Sequence, residues 1–318
     1  MSISQRKRAA QAERAMAGAQ PVEQACTEEM AVQSVQSLRS GLLNARKARQ
    51  ELTGQQRDTE RAVIDEFRAT PYGRKAYRDL HAQGYLIFPV CTPTETEKMK
   101  DVFNNFYPKD DKGELNVVKM SRYAAIDSQK RWMIDVSAKG LGDGFAAGAE
   151  EATETMAFVL QAMEYGLTDR VDVEKMTVLL SAPGEQNQRL HKDQSGSTVG
   201  RRLQGEGPSK VRQSAPYSGL FAFQHQAFLH VIDGSHKDFD KQDGFHWKDA
   251  HEITIPPGHA ILFHSCLVHA GSTYDVVNGR LHIHFKSSFG SSTADGKFWL
   301  VDCAGSPPRA RGVQTGGG

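Results

Sequence analysis

The chain has 318 residues, with Lys+Arg 39 against Asp+Glu 38 and a formal net charge of +1, so its overall balance selects neither nucleic acid nor an anionic membrane as partner. Its four cysteines, Cys26, Cys91, Cys266 and Cys303, are scattered without a C-x-x-C pair, which argues against a zinc knuckle or a disulfide framework. No stretch approaches the roughly 18 apolar residues of a membrane span, and no apolar segment follows Arg6, Lys7 and Arg8, so neither a span nor a secretory signal is expected. The reading is cytoplasmic, with a nuclear location left open by that short basic cluster, which otherwise reads as a solvated tail.

From Met1 to about Thr70 the chain is rich in Ala, Gln, Arg and Glu and poor in aromatics, which favours helix or charged disorder over strand. Val35, Leu38, Leu42, Ala45 and Leu52 follow spacings of three and four, with Arg49 breaking the seam. This predicts an amphipathic helix that packs on the domain after it or pairs with a second copy in a homo-oligomer. Pro71-Tyr72-Gly73 punctuates the region and divides a helical or partly disordered extension, 1–70, from a domain expected over 71–300, with a flexible tail over 301–318.

Beyond Pro71, Arg74 to Ala82 suits a helix ended by Gly84, and Tyr85 to Val90 a short apolar strand. Thr92-Pro93-Thr94-Glu95 offers an N-cap, a proline at the first helical position and a glutamate three residues after the cap, so a helix is expected to about Asn105. Lys109 to Gly148, with Trp132 and Met133, reads as loop-rich. Met156, Val159, Leu160 and Met163 give Glu150 to Tyr165 the spacing of a core-facing helix. Lys175 to Leu180 is a strand of branched residues, and Pro183-Gly184 turns the chain toward His191.

In a strand, residues i and i+2 point the same way, so an extended Leu190 to Gln194 aims His191 and Asp193 at one point in space. Two histidines and one carboxylate on one face of a metal, with other positions open, is the favoured ligand set of non-haem Fe(II) oxygenases. The third ligand has to come from a distant strand; His269 is the candidate, and His264 is its serious competitor. The other histidines, His225, His230, His236, His246, His251 and His259, read as structural or exposed. The glycine-rich, basic run through Arg201, Arg202, Lys210 and Arg212 reads equally as a substrate lid over 194–214 or as a solvated loop. Leu220 to Ile232 is a strand region ending in the turn Asp233-Gly234-Ser235. Further on, Arg280-Leu281-His282-Ile283-His284-Phe285 alternates, placing Arg280, His282 and His284 on one face and Leu281, Ile283 and Phe285 on a core face.

The order His191-x-Asp193, Val231 to His236, Pro257-Gly258 leading into Ile261 to His264, then His269 and Arg280, resembles the phytanoyl-CoA dioxygenase-like branch of the Fe(II)/2-oxoglutarate oxygenases. The resemblance runs from about Tyr77 to Phe289. It implies a mainly β fold with flanking helices, a double-stranded β-helix of the jelly-roll or cupin-like kind, with the helical extension before it. The family places its distal ligand before a small-residue turn, which His269-Ala270-Gly271-Ser272 satisfies and His264-Ser265-Cys266-Leu267 does not. The implied metal ligands are therefore His191, Asp193 and His269. Arg280, a permanently charged planar fork, is suited to the far carboxylate of 2-oxoglutarate.

The implied cofactors are Fe(II) and 2-oxoglutarate, with ascorbate as an accessory, and the implied reaction is hydroxylation of a C–H bond with release of succinate and CO2. The sequence departs from many relatives at Gly258-His259, where they carry Gly-Asp, and at Tyr274-Asp275, where they carry an Asn. Neither change touches an inferred ligand, and both leave the substrate class open between a small molecule, a protein side chain and a nucleobase, in that order. The alternative function is a catalytically silent jelly-roll module for binding or scaffolding. A halogenase is disfavoured by Asp193, since halide needs the carboxylate position vacated.

Overall fold

The computed structural model describes residues 27–48, 56–106, 121–122, 131–136, 143–164, 171, 173–184, 186–194, 217–238, 241, 243–285, 299–301 and 303–306. The Arg6-Lys7-Arg8 cluster, Leu52 and the candidate lid beyond Gln194 lie outside them.

Helix α1 (Glu28–Ala48) carries Glu28 and Glu29 in its first turn, where carboxylates complement the exposed amide dipoles. Val35, Leu38 and Leu42, spaced three and four apart, are its buried stripe. After α2 (Gln56–Ala69), helix α3 (Pro71–Gln83) begins with Thr70 Oγ1 accepting from the Gly73 amide at 2.9 Å. It ends at Gly84, whose φ of 93° is the left-handed cap conformation that a side chain disfavours. β1 (Tyr85–Pro89) follows directly, then α4 (Pro93–Phe106) with a full capping box. The Thr92 amide donates to Glu95 Oε2 at 2.8 Å, and the Glu95 amide returns to Thr92 Oγ1 at 3.3 Å.

The stretch expected to be loop-rich contains β2 (Ser121–Arg122) and β3 (Arg131–Asp135), and α5 (Asp143–Met163) begins seven residues earlier than its apolar spacing suggested. The remaining strands are β4 (Val173–Ser181), β5 (His191–Lys192), β6 (Tyr217–Phe221), β7 (Ala227–Val231), β8 (Phe245–His246), β9 (His251–Ile255), β10 (His259–His264), β11 (His269–Gly271), β12 (Asn278–Phe285), β13 (Trp299–Leu300) and β14 (Cys303–Ala304). The Leu220 to Ile232 region is thus two strands separated by a bend rather than one.

A seven-stranded sheet has the order β1-β10-β6-β12-β4-β3-β2, and a five-stranded one the order β13-β5-β11-β7-β9. The chain passes between them, β4 to β5, β6 to β7, β10 to β11 to β12, so the quartets β10-β6-β12-β4 and β5-β11-β7-β9 face each other with antiparallel neighbours. This is a double-stranded β-helix, the jelly-roll arrangement. Between the quartets lie Leu220, Leu229, Val231, Ile253, Ile261 and Phe263. Outside the larger sheet a second layer joins Leu281, Ile283 and Phe285 to α5 and to the buried stripe of α1.

The division expected at Pro71 falls between two helices that share one core, and the buried stripe of α1 packs into that core. Arg39 on α1 also pairs with Glu151 on α5. Sheet pairing continues past 300, since β14 runs parallel to β8 through Cys303↔Phe245.

Candidate metal centre

β5 is only two residues long, and it sits beside β11 with His191 directly opposite His269. The two imidazoles face each other with ring centroids 4.4 Å apart. Asp193, two residues beyond His191, turns back toward the same point, and its Oδ1 lies 3.6 Å from His269 Nε2. One ligand atom from each of His191, Asp193 and His269 lies within 4.8 Å of the others, and all three residues are buried.

The tautomers follow from the neighbours. His191 Nδ1 is 2.8 Å from the Arg189 carbonyl and His269 Nδ1 is 2.9 Å from the Leu267 carbonyl. A carbonyl can only accept, so each Nδ1 carries a proton and each Nε2 is the nitrogen left for other contacts. Burial, then the neighbouring His269, pushes the His191 pKa down to about 3, so its ring is neutral at physiological pH. Burial alone would raise the Asp193 pKa, but the imidazoles around it, His269 first, hold it down to about 2. Ser218 Oγ donates to Asp193 Oδ2 at 2.5 Å, whereas the buried Oδ1 has no hydrogen-bond partner among the described residues.

Side-chain bonds hold the short strands in place. Gln188 Oε1 accepts from the Gly271 amide at 2.8 Å, beside a backbone bond from Gln188 N to the Gly271 carbonyl at 2.9 Å, and Asn187 Oδ1 accepts from the Thr273 amide at 3.0 Å. A Cβ on Gly271 would stand 2.4 Å from Gln188 Oε1 and 2.5 Å from Arg131 Nη1, so a side chain there would push these two groups aside. Lys192, between the two local candidates, is fully buried and donates to the carbonyls of Asp238 at 3.0 Å and Lys241 at 2.8 Å.

Arg280 is buried on β12 across the same cavity. Its Nη2 donates to Ser181 Oγ at 3.1 Å, its guanidinium lies 4.7 Å from the Tyr274 ring centre, and its Nη1 has no hydrogen-bond partner among the described residues. The competitor His264 is elsewhere: its Nδ1 accepts from the Cys266 amide at 3.1 Å, and its ring contacts Tyr217 and His236. His230, His251 and His259 face Glu252, Asp233 and Glu28 respectively.

Sequence reading missed Arg131. It is buried on β3 at the cavity, where Nη2 donates to the carbonyls of Gln186 at 2.9 Å and Ser272 at 3.0 Å, pinning the two segments that carry His191 and His269. Its only signal was the Arg-x-Met-x-Asp alternation inside a segment otherwise read as loop. His282 and His284 were read as sharing the Arg280 face; the structure adds that both approach Asp193.

No family model matches the chain, and no curated protein matches it. Solved structures do. The non-heme alpha-ketoglutarate-dependent carbocyclase SnoK from nogalamycin biosynthesis aligns over 68% of this chain and 84% of its own, with 13% identity and a TM-score of 0.46. EvdO2 from Micromonospora carbonacea var. aurantiaca, crystallised with 2-oxoglutarate, aligns over 67% and 90%, with 12% identity and a TM-score of 0.45. A Pseudomonas putida prolyl-4-hydroxylase aligns over 67% and 98%, with 14% identity and a TM-score of 0.40. At such identities the likeness concerns the course of the chain, and the chemistry has to come from the site's own residues.

Proposed function

We propose that the protein is an Fe(II)/2-oxoglutarate-dependent oxygenase that hydroxylates a C–H bond of a small-molecule substrate, releasing succinate and CO2. The observation that carries this reading is the buried set His191, Asp193 and His269, with Arg280 on the opposite wall of one cavity. The donor set fits the ion: two imidazoles whose Nδ1 atoms are turned to backbone carbonyls, and a buried carboxylate oxygen with no hydrogen bond among the described residues. The motif order, similar to the phytanoyl-CoA dioxygenase-like branch, supports the same assignment. No helix among the described residues is long and apolar enough to cross a membrane.

Iron, when bound, supplies the redox chemistry and open positions for the 2-oxo acid group and O2. The carbonyls of Arg189 and Leu267 orient the His191 and His269 rings, and Ser218 orients the Asp193 carboxylate. Arg280 offers Nη1, without a hydrogen-bond partner among the described residues and with a charge that never titrates, to the far carboxylate of 2-oxoglutarate. Leu220, Phe228, Leu229 and Phe263 give the cavity between them an apolar lining.

The test is turnover of 2-oxoglutarate by the Fe(II)-loaded protein in air, read as succinate. Slow succinate formation without any added substrate is expected, absent in His191→Ala. Iron-loaded protein that binds 2-oxoglutarate and forms no succinate, with or without a panel of small-molecule substrates, would overturn the enzyme and leave the silent jelly-roll module.

A further inference from the structure

The face of β12 that carries Arg280 also carries His282 and His284, because i and i+2 in a strand share a side. Pairing with β6 sets His284 opposite Ser218, the residue that donates to Asp193. The result is a second cluster: a carboxylate oxygen of Asp193 and a ring nitrogen from each of His282 and His284 all lie within 4.8 Å of one another. The two rings are T-shaped, with centroids 4.4 Å apart.

Asp193 thus stands between two pairs of imidazoles, His191 with His269 on the smaller sheet and His282 with His284 on the larger. It is 8% exposed and satisfied by protein hydrogen bonding at only one oxygen among the described residues. A buried carboxylate oxygen left in this way calls for a partner. Ser218 ties the second imidazole pair to the carboxylate: its Oγ donates to Asp193 Oδ2 and lies 3.4 Å from His284 Nδ1.

We propose that the site holds two divalent transition ions, with His282, His284 and Asp193 forming a second seat and Asp193 bridging the two. The inference rests on the first seat proposed above, since the carboxylate is shared. The two seats have the same composition, two imidazoles and one carboxylate, which suits Mn(II), Fe(II), Co(II) or Zn(II) rather than Mg(II) or Ca(II). A common carboxylate fits the separation of about 3.5–4 Å usual in two-metal centres.

The experiment is titration of the metal-free full-length protein with Mn(II), without 2-oxoglutarate. Bound ion is counted by equilibrium dialysis, and the pair is observed by electron paramagnetic resonance. Two equivalents per chain are expected, with the six-line signal of isolated Mn(II) replaced by that of a coupled pair. Replacing both His282 and His284 with Ala should leave one equivalent and restore the six-line signal; replacing both His191 and His269 should likewise leave one.

A single equivalent in the wild type overturns the two-ion centre, and the variants then separate the readings. If that ion is lost with His191 and His269, the first seat stands alone. If it is lost only with His282 and His284, the first seat falls as well. The wild-type count decides the matter even where a variant fails to fold.

Discussion

The two quartets of the barrel differ in construction. In the larger sheet the four central strands are five to nine residues long and lie under helices, so backbone ladders and a continuous apolar layer fix them. In the smaller sheet β5 has two residues and β11 three, and Gln188, Asn187, Arg131 and Lys192 take over by side-chain bonds what the ladder no longer supplies. Arg280 belongs to the first kind of framework, His191 and His269 to the second. Overall stability should therefore respond to the helix-backed side, and metal affinity to single side chains of the other.

The largest effect should come from breaking the helix-backed side. Deleting residues 1–48 removes Val35, Leu38 and Leu42 from the shared core and should abolish the cooperative thermal transition. Leu42→Ala, at a fully buried position, should cost about 2–5 kcal/mol by denaturant unfolding. Unchanged stability in both would detach α1 from the core.

On the other side, His191→Ala and His269→Ala should each lose tight Fe(II) binding without comparable loss of stability, while His264→Ala keeps the iron. Metal content after anaerobic reconstitution checks this, and iron lost from His264→Ala alone would reverse the choice between the two distal histidines. Arg280→Ala should keep iron and weaken 2-oxoglutarate by roughly thirty- to a thousand-fold, from the order of 2–4 kcal/mol for a buried charge-assisted contact. Arg280→Lys should fall between, keeping charge but not the fork. Ser218→Ala frees the Asp193 carboxylate to rotate and should cost roughly ten- to a hundred-fold in Fe(II) affinity, the usual effect of removing a partner of a ligand.

The smallest effect is on pH dependence. The His191 pKa is about 3 in the folded protein against 6.5 ordinarily, so between those values the unfolded chain binds a proton that the folded one does not. Its contribution is full above pH 6.5 and declines as pH falls through that window. The thermal midpoint of the metal-free protein should drop from pH 7.5 to pH 5 more steeply than in His191→Asn; equal slopes would remove the burial argument for this ring.

Much of this was legible in the sequence because it is local. The Thr92 capping box, the Arg280 alternation and the His191/Asp193 pair each depend on residues within a few positions of one another; the structure places the first two on the elements expected, while Asp193 lies in a bend just past the two-residue strand of His191 rather than in an extended Leu190 to Gln194. The metal role of His191, Asp193 and His269 is still a proposal, resting on geometry that sequence could only anticipate. What depends on distant pairing was not legible. β3 exists because Arg131 to Asp135 pair with β4, and nothing inside that short run outweighs its loop-like surroundings. The start of α5 was hidden by Gly140, Gly142, Gly144 and Gly148; the last of these lies under Met99, whose Cγ would be 2.8 Å from a Cβ there. Nor could the strand pattern of β12 tell that His282 and His284 would meet Asp193, which is brought in from the opposite sheet.

The most direct test of the centre is an anaerobic titration of the Fe(II) protein with 2-oxoglutarate, followed by the visible metal-to-ligand absorption that chelation by a 2-oxo acid produces. A saturable band is predicted in the wild type and in His264→Ala, absent in His191→Ala and Asp193→Ala, and shifted to higher 2-oxoglutarate concentration in Arg280→Ala. Wild-type protein that holds iron and gives no band, or a band that survives loss of His191, would contradict the assignment of His191, Asp193 and His269 as the ligands opposite Arg280.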